Sequence, residues 1–455
     1  MRQTGGQTTD CVCAPGIDAG PALGARLDLA VERARDNLAG QQREDGHLCA
    51  QLEADITLES DLIIALHFLG RARIHADLMA KAAREILAQQ LPGGGFSTFP
   101  GGPPDVSATV KAYFALKLAG YPADAEPLAR ARAAIAALGG ITRCNTYTRF
   151  YLALFGQYDW KGVPEILPEI MLLLPWFPLS LYSMSSWTRA IIVPLMIVNH
   201  YRPLAPTPEG GGIDELRGDR RAERTLYVES RNGTSPWKRV FVSLDPLLKL
   251  WSRRPIAAVR GRALRKARSW ILRRQHRSDG LGAIWPGIVN TAFALKCLGL
   301  RDGDPVLERT IGQMLGLVIE DGGRLKVQPC KSPVWDTALT MIGWLRAGMP
   351  AGDPALARAA KWLLDREVRL PGDWRVRRPR AAPGGWYFEY ANEFYPDLDD
   401  TAVVVMALAC VDLGPEQPVL QSAVDRALAW VLAMQNRDGG WGAFDADNRH
   451  PILCD

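Results

Sequence analysis

No run of about eighteen apolar residues occurs anywhere in the 455-residue chain, so no segment reads as a membrane-spanning helix. The two nearest approaches, residues 166–181 and 190–198, are interrupted by Pro168, Pro175, Pro178 and Pro194. Residues 1–10 are polar and contain no apolar core, so no secretory signal is expected. Cysteine is sparse: eight residues, scattered singly apart from Cys11-x-Cys13, with no second pair at metal spacing. His47 and Cys49 are the only other neighbouring ligand types. A metal site is therefore not expected, and reduced thiols in a cytosolic setting fit best. The net charge of +5 is too small to argue for a nucleic-acid surface.

What is present is hydrophobic content of 47%, enough for two sizeable cores, and an internal repeat. One unit consists of an amphipathic helix, a Gln, a few polar residues and a Gly with an aromatic. A loop, an Asp or Asn near Thr or Ser, an apolar helix and a terminal Gly complete it. Gln41 to Gly46 leads to Asp55-Ile56-Thr57 and a helix ending at Gly70. Gln89 to Phe96 leads to Asp105-Val106-Ser107 and Gly120, and Gly139-Gly140 leads to Asn145-Thr146 and Gly156. Later copies run from Gln275 to Asn290-Thr291, from Asp321-Gly322-Gly323 to Asp336-Thr337, and from Gly384-Gly385-Trp386 to Asp400-Thr401. Gln435 to Trp441 opens one more.

Each unit is a helical hairpin with a cap signal before its second helix and a Gly terminator. The second helices, at residues 62–69, 110–118 and 403–413, are apolar nearly all round and should be buried on both sides, whereas the first helices carry charge on one face. Alternating inner and outer helices describe an all-α fold, an α/α toroid in two barrels, the second incomplete. The expected division is an N-terminal arm at 1–20, a barrel domain at 21–303 with an insertion at about 205–262, and a partial barrel domain at 304–455.

The mouth of that second barrel is where Tyr395-Pro396-Asp397-Leu398-Asp399-Asp400-Thr401 opens. Asp400 is placed to cap the helix that follows. Three carboxylates this close repel, so the cluster should retain a proton and act as a strong, positioned acid. Capping alone, or a divalent-metal site, is the competing reading of an Asp-x-Asp-Asp. Residues 237–254 interleave Trp237, Phe241, Leu247, Leu250 and Trp251 with Lys and Arg, which suits a helix lying in a bilayer surface or a half-buried helix with a basic outer face.

Asp397-Leu398-Asp399-Asp400-Thr401-Ala402 resembles the Asp-x-Asp-Asp-Thr-Ala motif of class II triterpene cyclases, and the Gln…Gly-Gly-Trp units resemble the repeats of that family. Ser332 to Thr337, Pro371 to Trp374, Gly101 to Asp105 and Ser186 to Ala190 look like further signatures of bacterial squalene–hopene cyclases. The resemblance runs from Leu27 to Asp447. It implies a monotopic protein at the cytoplasmic face of the bacterial inner membrane that cyclises squalene to hopene or hopanol without metal or organic cofactor. By position it implies Asp399 as proton donor, Asp397 and Asp400 as the carboxylates that hold and polarise it, and Trp187, Trp335 and Phe388 as cavity aromatics. It also places the membrane-embedded segment at residues 237–254. The chemistry agrees with these residue types. An alkene is barely basic, so its protonation needs a dry, preorganised acid. Aromatic faces stabilise carbocations through their quadrupole without trapping them as an oxygen lone pair would.

Three departures stand out. Leu48, Leu281 and Arg324 replace loop aromatics, so those loops are expected to pack less firmly. Glu367 replaces a Gln. Residues 449–455 do not continue the family pattern, and His450 is the only local candidate for the His that partners the acid in family members. The chain is read as a fragment, a truncated product, or one needing a second polypeptide, and a catalytically silent scaffold of the same fold is the rival function. A prenyltransferase subunit would need a zinc cluster of Asp, Cys and His that is not visible. No nucleic-acid partner is indicated, and a homodimer is left open.

Overall fold

The computed structural model describes residues 21–218, 220–226 and 236–448. The arm at 1–20 and His450 lie outside them. In the first half, helices α1 (Pro21–Gln41), α2 (Thr57–Phe68), α3 (Ala76–Ala88), α4 (Val106–Leu118), α5 (Glu126–Ala137), α6 (Thr146–Ala153) and α7 (Ser186–Tyr201) are followed by the short α8 (Arg220–Glu223). Then come α9 (Pro236–Arg253), α10 (Ala257–Arg274), α11 (Trp285–Cys297) and α12 (Pro305–Leu315). The second half contains α13 (Pro333–Arg346), α14 (Pro354–Leu364), α15 (Leu398–Leu408) and α16 (Gln417–Ala433). An antiparallel hairpin pairs β1 (Val318–Asp321) with β2 (Arg324–Val327), turning at Gly322-Gly323. The architecture is the expected all-α toroid, with this hairpin the one addition among the described residues.

Inner and outer helices separate by burial as their composition dictates. From Ser107 to Leu118 every residue of α4 is buried, and α2 and α11 are buried almost as completely. The outer α3 buries only Met79, Ala82, Ala83, Glu85 and Ile86, and α14 likewise buries one stripe. Each apolar side chain taken fully out of water contributes about 1.5–3 kcal/mol, so the inner ring carries the fold. Buried apolar side chains gather in one cluster spanning residues 56–327, another spanning 334–427 that also recruits Leu48, and a small third one of Trp374, Leu398, Trp430, Met434 and Ala446.

The repeat is built from a small set of interlocking contacts. Gln90 donates its amide to the carbonyls of Gly94 at 2.9 Å and Pro127 at 2.8 Å, and Gln42 does the same to Gly46 and Ala355. At Gly94 the backbone is left-handed (φ +83°), and a Cβ there would sit 2.6 Å from the Arg130 backbone. Only glycine lets the loop lie against the next outer helix. Threonines in the first turns of three inner helices then hold glycine loops that precede them in the chain: Phe96 N–H donates to Thr109, Leu48 N–H to Thr337, and Trp386 N–H to Thr401.

Two of the noted departures are corrected here. Leu48 and Leu281 are buried, so their loops are firmly packed despite lacking an aromatic. Arg324 does project outward and pairs with Glu85. Glu367 has a partner of its own: it takes a bidentate ion pair from Arg426 at 2.7 and 2.8 Å, in the place where Gln42 accepts from Arg358 and Gln90 from Arg130.

Candidate active site

The acidic stretch enters α15 in extended conformation. Asp397 is the N-cap, its Oδ1 accepting the Asp400 N–H at 2.7 Å, which corrects the expectation that Asp400 would cap. Pro396 fixes the chain just upstream, and the Asp397 N–H donates to the Trp386 carbonyl at 2.9 Å. Thr401 then donates to the Asp397 carbonyl at 2.5 Å. Trp386 is fully buried, with its indole N–H on the Leu363 carbonyl at 2.7 Å, so the loop before the acids is rigid. Trp386 is thus a packing residue. Half-exposed Trp441 packs likewise, its indole N–H on the Val431 carbonyl.

Asp397 and Asp400 are both buried and both titrate upward. Burial is the largest cause for each, and for Asp400 the neighbouring Asp397 charge adds to it. The Asp400 Oδ1 has no hydrogen-bond partner. Repulsion between two buried carboxylates is relieved when one keeps a proton.

Glu389 was not singled out from sequence. It is buried and pushed up to about 8 by burial, an effect that the Asn392 amide at 3.1 Å opposes and the Asp397 charge reinforces. Nothing local marks it, since its burial comes from the whole loop ahead of α15. Because its ordinary value is 4.5, the folded chain binds more protons than the unfolded chain between pH 4.5 and about 8, and stability falls as pH rises through that window. Glu389→Gln removes the titration. Its stability relative to the native chain is expected to rise between pH 5 and pH 8 by at least about 1 kcal/mol, measured by urea unfolding at both values.

Asp399 is exposed on the first turn of α15 and makes no side-chain hydrogen bond or ion pair among the described residues. It continues into an open stripe of Ala402, Val403 and Met406, the last 56% exposed, so α15 is buried on one side and not on both. Beside it α13 turns Trp335, Leu339 and Ile342 the same partly open way. The closed, dry chamber expected around Asp399 is therefore not formed by the described residues, because no described element covers these two inner helices.

The aromatic residues are only partly brought together. Trp335 and Phe388 pack with ring centroids 6.2 Å apart, Phe388 lying nine residues before Asp397 in sequence. Trp187, 52% exposed at the start of α7, packs instead on Phe444 at 5.5 Å. Phe444 follows Gly440-Trp441-Gly442-Ala443, and an aromatic so close to the repeat signature was the signal that could have found it. Behind Trp187, Arg189 reaches Asp445 at 2.7 Å and lies 3.7 Å from Asp373, all three buried. His47 is no metal ligand: it bonds Asp45 at 2.6 Å and the Tyr390 hydroxyl at 2.9 Å. No group of three metal-ligating side chains occurs among the described residues.

Comparison with known proteins bears on all of this. The squalene-hopene cyclase N-terminal domain model matches residues 31–323, and the squalene-hopene cyclase C-terminal domain model matches residues 331–455. The chain is 37% identical over 439 residues to the squalene–hopene cyclase of Zymomonas mobilis, covering 94% of this chain and 65% of that protein. It is 36% identical over 441 residues to the enzyme of that name from Alicyclobacillus acidocaldarius, covering 96% and 68%. For the one from Bradyrhizobium diazoefficiens the figures are 38% over 426 residues, 93% and 64%. The chain thus spans about two thirds of the length of these curated relatives.

Proposed function

We propose that this chain, which belongs to the squalene–hopene cyclase family, carries the acid and part of the cavity of a class II triterpene cyclase acting on squalene. The observation that carries the reading is the buried Asp397–Asp400 pair at the start of α15, two residues before and one residue after Asp399, where burial favours keeping a proton. In this reading Asp399 is the donor. Its O–H bond breaks as a C–H bond forms on the terminal alkene, leaving a tertiary cation that the next double bond attacks. Asp397 and Asp400 keep the cluster protonated, and Trp335, Phe388 and Trp187 face the migrating charge. The cascade ends by proton loss, giving hopene, or by capture of water, giving hopanol. No metal or organic cofactor enters any step.

Residues 21–303 are proposed as the supporting barrel domain and residues 304–455 as part of the catalytic one. Attachment to the cytoplasmic face of the inner membrane is proposed through α9. Its Leu244, Leu247 and Leu250 are exposed along one side while Asp245 is buried on the other, paired with Lys249. The side chains of residues 237–239 and Phe241 lie outside the described residues. No described helix is long and apolar enough to cross a membrane.

The open face of α13 and α15 favours one rival, a catalytically silent scaffold of the same fold. Incubating squalene with membranes from cells expressing the chain separates the two. A pentacyclic triterpene absent from vector controls is the expected product. Unchanged squalene at every enzyme concentration would leave the scaffold reading standing.

A further inference from the structure

On the outer side of α10 lies a groove of about 890 Å³ that takes no part in the chemistry above. Arg265, Arg268, Ser269, Leu272 and Arg273 line it, following one another at steps of three and one residues so that they share one face of α10, and His276 joins them just past the helix end. Arg277, Leu370-Pro371 and Glu393-Phe394 close the other wall. Four arginines against a single glutamate leave the groove three charges positive with His276 neutral. That glutamate is already paired with Arg277 at 3.1 Å. Arg265 and Arg268 have no ion-pair or hydrogen-bond partner among the described residues, and Arg273 has only the Ser269 carbonyl.

A merely solvated basic face would be convex and polar throughout. Here the arginines share a concavity with the apolar Leu272, Leu370, Pro371 and Phe394. The apolar side is also firm: the Phe394 ring lies 5.4 Å from the Arg274 guanidinium, which is buried and paired with Asp373. Planar guanidinium forks match phosphate oxygens two at a time, and a phosphate has oxygens for more than one fork where a carboxylate fills only one.

We propose that this groove binds a phosphate group carried on an apolar chain, with Arg265, Arg268 and Arg273 on the phosphate and Leu272, Leu370 and Phe394 against the chain. Such a ligand has two sources, a phospholipid of the bilayer or a soluble lipid phosphate. Helix α9, with its exposed leucines, runs into α10 through exposed Ile256, which brings a bilayer source close along the chain.

The test is calorimetric titration of the full chain with dodecyl phosphate below its micelle threshold. Saturable binding is expected, weakened at least about tenfold by Arg268→Glu with Arg273→Glu and unchanged by Arg309→Glu, an exposed charge on α12. Inorganic phosphate and dodecanol should each bind more weakly, because each offers only half of the recognised chemistry. Equal affinity of the double variant and the native chain, with circular dichroism unchanged in both, would overturn the proposal. So would dodecanol binding as tightly as dodecyl phosphate. Displacement of bound dodecyl phosphate by phosphatidylglycerol vesicles but not by phosphatidylcholine vesicles identifies the bilayer as the source. Displacement by neither identifies a soluble lipid phosphate. None of these readouts depends on cyclisation, so they stand apart from the squalene assay.

Discussion

Asp399→Asn is expected to lower squalene turnover by about two to four orders of magnitude while leaving the unfolding free energy within about 0.5 kcal/mol of the native chain. The two halves of that expectation have separate causes. Asparagine keeps the size and polarity of the side chain but has no acidic proton, and nothing else in the stripe of Ala402, Val403 and Met406 can supply one. Stability is untouched because Asp399 is exposed and has no side-chain partner to lose among the described residues. Its neighbours behave differently. Asp397→Ala removes the side chain that accepts the Asp400 N–H at 2.7 Å, so it should cost about 1 kcal/mol in stability whatever it does to turnover. Product analysis together with urea unfolding on the two variants therefore separates a donor from a cap. If Asp399→Asn still cyclised squalene at the native rate, the donor would have to be sought in the buried pair or in Glu389.

The features legible in the sequence are those whose physics is local. A Gln four residues before a Gly, and a Thr four residues into the site after an Asp, recur because the Gln amide must reach its own loop carbonyl and the Thr hydroxyl must reach the preceding Asp carbonyl and the loop N–H. Inner and outer helices were legible for the same reason, since burial on all sides demands apolar residues on all sides. The limits appear where two readings share one local pattern. Asp397 and Asp400 are both well-formed caps on paper, and the choice fell to Asp397 because its backbone is extended and zipped to Trp386. The β1–β2 hairpin hid inside a unit otherwise read as helical, its turn made by the same glycines. Glu367 read only as a departure from Gln, because its partner, Arg426, lies 59 residues away. Composition does not record such compensation.

The largest stability effect in the molecule is expected at a contact of that non-local kind. Arg189 leaves α7 in the first half and reaches Asp445, 256 residues on, at 2.7 Å, with Asp373 at 3.7 Å. Arg274 of α10 bonds both oxygens of Asp373, so two helices of the first half are pinned to two connecting segments of the second. All four side chains are buried. Arg189→Met leaves the buried Asp445 without its ion-pair partner, with only the Asn448 amide and the Arg377 charge to answer it and Arg274 still on Asp373, and a loss of about 3–5 kcal/mol is expected. Because the pair is shielded, that loss should barely change between low and high salt, unlike an exposed pair. The double variant Arg189→Met with Asp445→Leu tests the cause. Exchanging a buried ion pair for packed apolar groups is often neutral, so the double variant should recover most of what the single one lost. A double variant no more stable than Arg189→Met would mean that Arg189 acts through its packing against the Tyr182 ring, 5.4 Å away, and not through its charge. Recovery would instead make this ion pair a device that fixes how the acid-bearing half sits on the first, a geometry that Trp187 on α7 and Phe444 beside Asp445 share with it.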